Sequence, residues 1–123
     1  MMLKVTAKAD QIVFGDVFSL EFQRTLRIPD DGKTYPLPPG LGRFPVLHVR
    51  DYEQRVPAEW VKHGGVFIPM YQREALWINF HARHWKPNAV KIAIGKVNAV
   101  SGKPWNENLL REEKDYVVCP PQP

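Results

Sequence analysis

Prolines constrain this chain more than any other feature of its sequence. The 123 residues include 12 prolines, which is about twice the average usage. Because proline fixes φ and lacks a backbone N–H, it interrupts helices and the central strands of sheets. This proline content excludes an all-helical bundle and predicts many short strands joined by stiff loops.

The longest strand signal lies between residues 17 and 28. Apolar residues take alternate positions from Phe18 to Ile28, and only Arg24 interrupts the series. A two-residue period places these side chains on one face of a half-buried strand. We therefore expect Arg24 to be at least half-buried and to have an acidic or carbonyl partner, because an unpaired buried guanidinium is costly.

Shorter patterns of the same kind predict the remaining strands. They lie near residues 3–7, 11–14, 44–49, 66–82, 90–94 and 116–118, with a bend at Gly15-Asp16 and one helical turn at 57–63. The predicted fold class is all-β: a single-domain antiparallel β-sandwich of about seven or eight strands with proline-rich loops. A β-barrel is the alternative. The β domain is expected to span residues 1–118.

The turn signal at residues 85–88 predicts a hairpin. The strands on either side of it, 75–82 and 90–94, would pair in antiparallel fashion. In the second strand, Val90, Ile92 and Ile94 would then face inward and Lys91 outward.

Residues 29–42 form a long segment that regular structure cannot accommodate. The Asp-Asp-Gly sequence at 30–32 has turn chemistry, and the three prolines within 36–39 enforce an extended, polyproline-like path. A loop this long in a small domain is either functional or a cover for a sheet edge.

Histidines, acids and the single cysteine lack a recognisable catalytic or metal-binding arrangement. His81 and His84 are three positions apart, a spacing that places them on opposite faces of a strand. No phosphate-binding glycine pattern is present. The sequence therefore favours a non-catalytic protein without a metal or cofactor. The alternative is a small enzyme or a ligand-binding barrel whose site forms only in the fold, with His81, His84 and Glu74 as its polar residues.

Aromatic residues beside cations give the clearest binding signal. Trp85 precedes Lys86, and Trp105 follows a Lys-Pro pair, each at a predicted turn. Rings on loops stack on sugars, bases or a partner's prolines. With Tyr35 of the long loop and Arg24, these residues are the candidate contact surface of a non-catalytic binding or interaction module. A protein partner or self-association is favoured, and a small molecule or sugar is an open alternative.

The charge pattern narrows the class of partner further. Seventeen basic and 13 acidic residues, a net charge of +4, are scattered along the chain. Because nucleic-acid binders gather basic charge on one face, nucleic acid is a less favoured partner. No apolar run approaches the roughly 18 residues of a membrane span. The N-terminus lacks the apolar core of a signal peptide, and the single cysteine suits a reducing compartment, so a cytoplasmic location is expected.

Three stretches in the second half of the chain carry a resemblance. They are FIPMYQREALW at 67–77, KPNAVK at 86–91 and NAVSGKPW at 98–105. This half is similar to an uncharacterised, mostly bacterial family of hypothetical proteins, which implies no activity and no site residues. In that family the similar region continues past the proline-rich terminus at 119–123. We therefore interpret the terminus as a linker to a C-terminal region, and expect the native context to supply more chain or a second subunit.

Overall fold

The computed structural model describes residues 3–83, 86–108 and 114–120. Its contacts divide the chain into two compact units, unit 1 (Met1–Asn79) and unit 2 (Phe80–Pro123). Both consist of short strands in antiparallel sheets, so the expected β-rich class is confirmed. The single β domain over residues 1–118 stays a prediction.

Ten strands and two short helices make up the described secondary structure. In unit 1 they are β1 (Val5–Ala7), β2 (Ile12–Phe14), β3 (Phe18–Leu26), β4 (Leu47–His48), the 3-10 helix Val49–Tyr52, α1 (Ala58–His63) and β5 (Val66–Phe67). Strand β6 (Glu74–Ala82) begins in unit 1 and ends in unit 2. Unit 2 continues with β7 (Asn88–Val90), β8 (Ala93–Ile94), β9 (Val97–Asn98) and β10 (Val117–Cys119).

The largest sheet has the strand order β1-β2-β3-β6. Strands β2 and β3 pair as a hairpin in which Phe14 lies opposite Phe18, and Gly15 takes φ +57 in the turn between them. This is the bend that the sequence predicts there. Strands β4 and β5 form a second, two-stranded sheet. Each of these sheets is open across the described residues.

The helical turn also lies where the sequence places it. Helix α1 follows Pro57, which is the N-cap residue rather than the first helical one. Gly64 ends the helix with φ +70, a conformation that favours glycine. No helix in the described residues is long and apolar enough to cross a membrane.

The end of the long loop runs along the edge of β3. The backbone N–H of Arg24 donates to the carbonyl of Gly42 (2.8 Å), and that of Leu41 donates to the carbonyl of Arg24 (2.9 Å). Two residues on, the N–H of Phe44 donates to the carbonyl of Phe22 (2.8 Å). The segment therefore satisfies backbone groups of β3 at residues 22 and 24.

The buried centre of unit 1 is apolar, but β3 contributes to it differently from the sequence pattern. Phe44 is 0% exposed, and Val46 and Val49 are also buried. On β3 the buried residues are Glu21 and Thr25, whereas Leu26 and Ile28 of the predicted inward face are exposed. The predicted orientation is wrong here because residues 39–43 lie against β3 and give its polar side chains partners.

Unit 2 departs from the predicted hairpin. Strand β7 pairs with β10, and β8 pairs with β9. In the described residues, the expected pairing of 75–82 with 90–94 is absent. The predicted facing is wrong as well, because the side chain of Lys91 is only 7% exposed while Ile94 is 74% exposed. A carboxylate partner for Lys91, described below, accounts for this reversal.

Candidate functional site

Asp31 organises the start of the long loop. Its Oδ1 accepts a hydrogen bond from the backbone N–H of Lys33 at 2.9 Å, and its Oδ2 accepts one from the hydroxyl of Tyr35. The first contact is the side-chain turn that aspartate forms with the backbone two residues on. Gly32 between them takes φ +76. A single carboxylate therefore holds two points of the loop at once.

The same contacts change how the two side chains titrate. The hydrogen bond from Tyr35, and after it the one from the N–H of Lys33, lowers the pKa of Asp31. The bond to Asp31 also raises the pKa of the Tyr35 hydroxyl. Both shifts favour the charged carboxylate and the neutral phenol, the pair of forms that makes the contact.

Two residues of the segment 33–41 are less exposed than the others, and they lie three positions apart. Tyr35 and Pro38 are half-buried, and the other residues of the segment are exposed. Leu37 is 80% exposed, the highest value among the described large apolar side chains. A polyproline II helix has three residues per turn, and residues before proline are biased towards this conformation. The spacing of Tyr35 and Pro38 is the one that residues on the same edge of a polyproline II helix would have, and the polyproline-like path of the segment stays a prediction.

The far end of the loop is fixed to β3. The hydroxyl of Thr25 donates a hydrogen bond to the carbonyl oxygen of Pro39 at 3.0 Å. Arg43 then forms an ion pair with Glu21 on the same strand, with Nη2 to Oε2 at 2.7 Å. Glu21 also accepts a bond from the amide of Asn79 at 3.1 Å. The loop is therefore tied down on both sides of its exposed stretch.

Arg24 and Glu74 form an ion pair in unit 1. Nη1 of Arg24 lies 2.7 Å from Oε1 and 2.9 Å from Oε2 of Glu74, and both side chains are about one-quarter exposed (26% and 24%). The Arg24 guanidinium also lies 4.2 Å from the centre of the Phe44 ring. The prediction of a half-buried arginine with an acidic partner is confirmed.

The carboxylate of Glu74 has a second partner. Its Oε2 accepts the backbone N–H of Tyr71 at 3.0 Å. This bond, and after it the Arg24 guanidinium, lowers the pKa of Glu74. The sequence assigned Arg24 and Glu74 to two different candidate sites, and the structure joins them in one contact. That contact keeps Glu74 ionised, as an acceptor rather than an acid.

The remaining predicted contact residues belong to unit 2. Trp105 is 36% exposed, and its ring centre lies 5.2 Å from Nζ of Lys91. Lys86 and His81 are exposed. The predicted residues Trp85 and His84 lie outside the described residues. Six of the eight predicted site residues are described by the structure. Of these six, Arg24 and Glu74 are brought into direct contact, within unit 1.

Lys91 forms the polar centre of unit 2. Its Nζ lies 2.9 Å from Oδ2 of Asp115, whose side chain is 3% exposed, and it also donates to the backbone carbonyls of Asn106 and Asn108. Asn98 is buried and its amide donates to the carbonyl of Asp115 at 2.8 Å. With three oxygen acceptors, the ammonium of Lys91 is engaged within the unit and has a structural role.

Glu21, Arg43 and Asp115 are the polar residues that sequence reasoning missed. Glu21 lies on the polar side of an alternating strand, which predicts solvent exposure, yet it is buried. Only the position of Arg43 directly before the fully buried Phe44 hints at a role, since a charge beside a core residue needs a partner. Asp115 has no local signal, because its partner lies far away in sequence.

A cavity of about 620 Å³ lies along one continuous segment of unit 1. Its lining residues are Val46, Leu47, His48, Arg50, Asp51, Tyr52, Glu53, Gln54 and Arg55. A second cavity, of about 420 Å³, shares His48 and Arg50 with it. Within the described residues neither Arg50 nor Arg55 forms an ion pair. The larger cavity thus offers charges of both signs to a small polar ligand.

Metal-binding and nucleophilic groups do not converge in the described part of the chain. No group of three or more histidine, cysteine, aspartate or glutamate side chains there could hold a metal ion. Cys119 is buried, and desolvation raises the pKa of its thiol. The thiol is therefore held in the protonated form, which is the less nucleophilic one.

Comparison with protein-family models, curated proteins and solved structures finds no match for this chain.

Proposed function

We propose that this protein is a non-catalytic interaction module whose contact surface is the loop 29–42. The observation that carries the proposal is an apolar side chain, Leu37, that is 80% exposed on a loop fixed at both ends. Asp31 holds the start of the loop and Thr25 holds its end. Leu41 of the same loop is also exposed, at 54%, and exposed apolar residues that lie together, rather than singly, mark interaction surfaces.

Fixing the loop matters for affinity. A flexible segment loses conformational entropy when it binds, and this loss reduces the free energy of binding. Here the turn at Asp31, the prolines and the bond to Pro39 restrict the backbone before any partner arrives. More of the contact energy then appears as affinity. Tyr35 and Arg24 act in this proposal as supports of the loop and of the strand beneath it.

The exposed residues of unit 2 form a second part of the proposed contact surface. Trp105 and Lys86 are exposed and combine aromatic area with positive charge, the combination that stacks on sugars or on a partner's prolines. Trp85, which precedes Lys86 in the sequence, is included in the proposal on the sequence alone. A protein partner or a second copy of this chain is the proposed ligand class. The wider proposal is a cytoplasmic β-sandwich that belongs with the uncharacterised family it resembles.

Site-specific photo-crosslinking tests whether the loop contacts a partner. A photoreactive label is attached to Leu37→Cys and, as the matched control, to Asp16→Cys in the exposed turn between β2 and β3. We expect position 37 to give one discrete adduct in cells that position 16 does not give. Identical adducts at both positions, or none at position 37, would contradict the proposal.

The cavity along residues 46–55 favours a second candidate function, the binding of a small molecule. Its volume of about 620 Å³ falls in the range of small-molecule sites. Arg50 and Arg55 would take a carboxylate or phosphate, and Asp51 or Glu53 a positive group. A nuclear magnetic resonance screen with charged amino acids and phosphates tests it. Saturable shifts that Arg50→Ala abolishes and the exposed control Arg27→Ala retains would support this function, and their absence would exclude it.

A further inference from the structure

We propose that the partner of the loop is a domain with an aromatic-lined groove for polyproline II helices, bearing an acidic side chain at one end of the groove. This inference rests on the proposed function and names the class of partner. The segment that carries it is Lys33–Pro39, with the sequence KTYPLPP. It contains the Pro-x-x-Pro spacing that such grooves recognise.

Three residues of the segment share one edge of the helix. With three residues per turn, Lys33, Pro36 and Pro39 follow one another along the same edge. At a rise of about 3.1 Å per residue, neighbouring members of this row are about 9 Å apart. All three are exposed. In a polyproline II conformation the segment would therefore present a cation and two prolines in one row, which we call the proline edge.

The other two edges differ in exposure. Tyr35 and Pro38 form the edge that is half-buried. Leu37 lies on the third edge and is 80% exposed. The proline edge and the Leu37 edge are therefore both open to a partner, while the Tyr35 edge is the shielded one. A groove can grip a polyproline helix when two adjacent edges are free to enter it.

Charge defines one end of the expected groove. Lys33 is the only charged residue between positions 32 and 42, and within the described residues it forms no ion pair. Its ammonium lies one turn before Pro36 on the proline edge. An acidic side chain placed one turn beyond the proline pockets would pair with it, and this pairing would fix the direction in which the loop enters the groove.

The helix is also held in shape before binding. Asp31 binds the N–H of Lys33 and the hydroxyl of Tyr35, and Thr25 binds the carbonyl of Pro39. Each contact lies at an end of the segment or on its shielded edge. At Lys33 and Pro39 the contacts use only the backbone N–H and the backbone carbonyl, and both residues stay exposed. The backbone is thus restrained before binding, as a preformed polyproline ligand requires.

Binding to an array of purified domains tests the inference. The full chain, labelled at its N-terminus, is titrated against SH3, WW and EVH1 domains by fluorescence anisotropy. We expect saturable binding to at least one domain, and displacement of the chain by a proline-rich peptide that the same domain binds. Pro36→Ala and Pro39→Ala should each weaken the affinity by about tenfold or more.

Two controls separate the proline edge from general effects. Pro69→Ala changes an exposed proline of unit 1 outside the loop and should leave the affinity unchanged. Lys33→Glu should weaken binding, whereas Lys33→Arg should retain it. Circular dichroism of each variant shows whether the fold is intact, and peptide displacement of the unmodified chain tests the groove without any substitution.

Three results would overturn the inference. They are the failure of every domain in the array to bind, binding that Pro36→Ala and Pro39→Ala do not weaken, and equal weakening by Pro69→Ala. If one of these occurs while the crosslink from position 37 persists, the loop is a contact surface for another class of partner. If the crosslink is absent as well, the interaction function itself is wrong.

Discussion

The buried residues of the two units differ in chemistry. Unit 1 buries the apolar side chains of Phe44, Val46 and Val49, and with them Glu21, which pairs with Arg43. The described residues of unit 2 bury mostly polar groups, the Lys91–Asp115 pair and the amide of Asn98, together with Cys119. Because of this difference, substitutions in the two buried centres should reduce stability in different ways. Apolar contacts are lost in proportion to the atoms removed, whereas a buried ion pair loses its compensation all at once.

The largest effect is expected from breaking the polar centre. Asp115→Ala leaves the Lys91 ammonium buried without its carboxylate and should destabilise unit 2 by about 3–5 kcal/mol. Hydrogen exchange monitored in β7, β9 and β10 measures this loss. The double variant Lys91→Met with Asp115→Leu removes both charges and should recover most of the stability. If the amide hydrogens of Asp115→Ala exchange as slowly as those of the native chain, the Lys91–Asp115 pair does not stabilise unit 2.

A smaller effect is expected from the apolar centre. Phe44→Leu keeps an apolar side chain but leaves a small void and removes the ring beside Arg24, which should cost about 1–2 kcal/mol. Denaturant unfolding monitored by hydrogen exchange in β3 gives the value. Leu41→Ala, an exposed control on the neighbouring segment, should stay within about 0.5 kcal/mol of the native chain. An equal loss for both variants would contradict the assignment of Phe44 to the core.

Releasing the end of the loop from β3 should lower the free energy of unfolding by less than either of these substitutions. Thr25→Val keeps the shape of the side chain but removes the hydrogen bond to the carbonyl of Pro39, for a loss of about 0.5–1.5 kcal/mol. The amide of Leu41, which bonds to the carbonyl of Arg24, should then exchange faster. The same change at exposed Thr34 should have no such effect, and matching rates in the two variants would count against the anchor.

The smallest effect concerns pH and is confined to the start of the loop. Because the folded pKa of Asp31 is lowered, the stabilisation is present above the ordinary aspartate value of about 4 and is lost as pH falls through the lowered pKa. Because the folded pKa of Tyr35 is raised, its contribution is present below about 10 and is lost as pH rises through the raised pKa.

Nuclear magnetic resonance can follow the loss of the contact at low pH and at high pH, through the signals of the Lys33 amide and the Tyr35 ring. Tyr35→Phe removes the hydroxyl and should raise the pKa of Asp31 towards its ordinary value. It should also abolish the change at high pH. A Tyr35→Phe chain with an unchanged Asp31 titration would show that the hydroxyl does not hold the loop.

Sequence reasoning located most elements but fewer of their partners. The strand at 18–28, the turn at Gly15, the helical turn after Pro57 and the irregular loop at 29–42 all lie where the pattern places them. These features depend on neighbouring residues, since proline, glycine and alternation act on the local backbone. The prediction of a hairpin around residues 85–88 was wrong, because a turn signal does not specify which strand pairs with β7. That strand is β10.

The candidate site shows the same division. The turn chemistry of 30–32 and the extended path of the prolines were readable, and so was the need of Arg24 for a partner. That the partner is Glu74, 50 residues away, was not readable, because any acid in the chain would have satisfied the same requirement. The partial burial of Tyr35 and Pro38 in the loop likewise depends on which side chains lie against the rest of unit 1.

The sequence by itself therefore determined the β-rich class, the stiff loop and the positions of the strong turns. Only the tertiary structure decided that Glu21 and Thr25 are buried on β3 while Leu26 is exposed. It also decided that Lys91 turns inward to Asp115. The physical reason is that local backbone preferences are encoded in adjacent residues, whereas the burial of a charge depends on a partner that only the folded chain brings within reach.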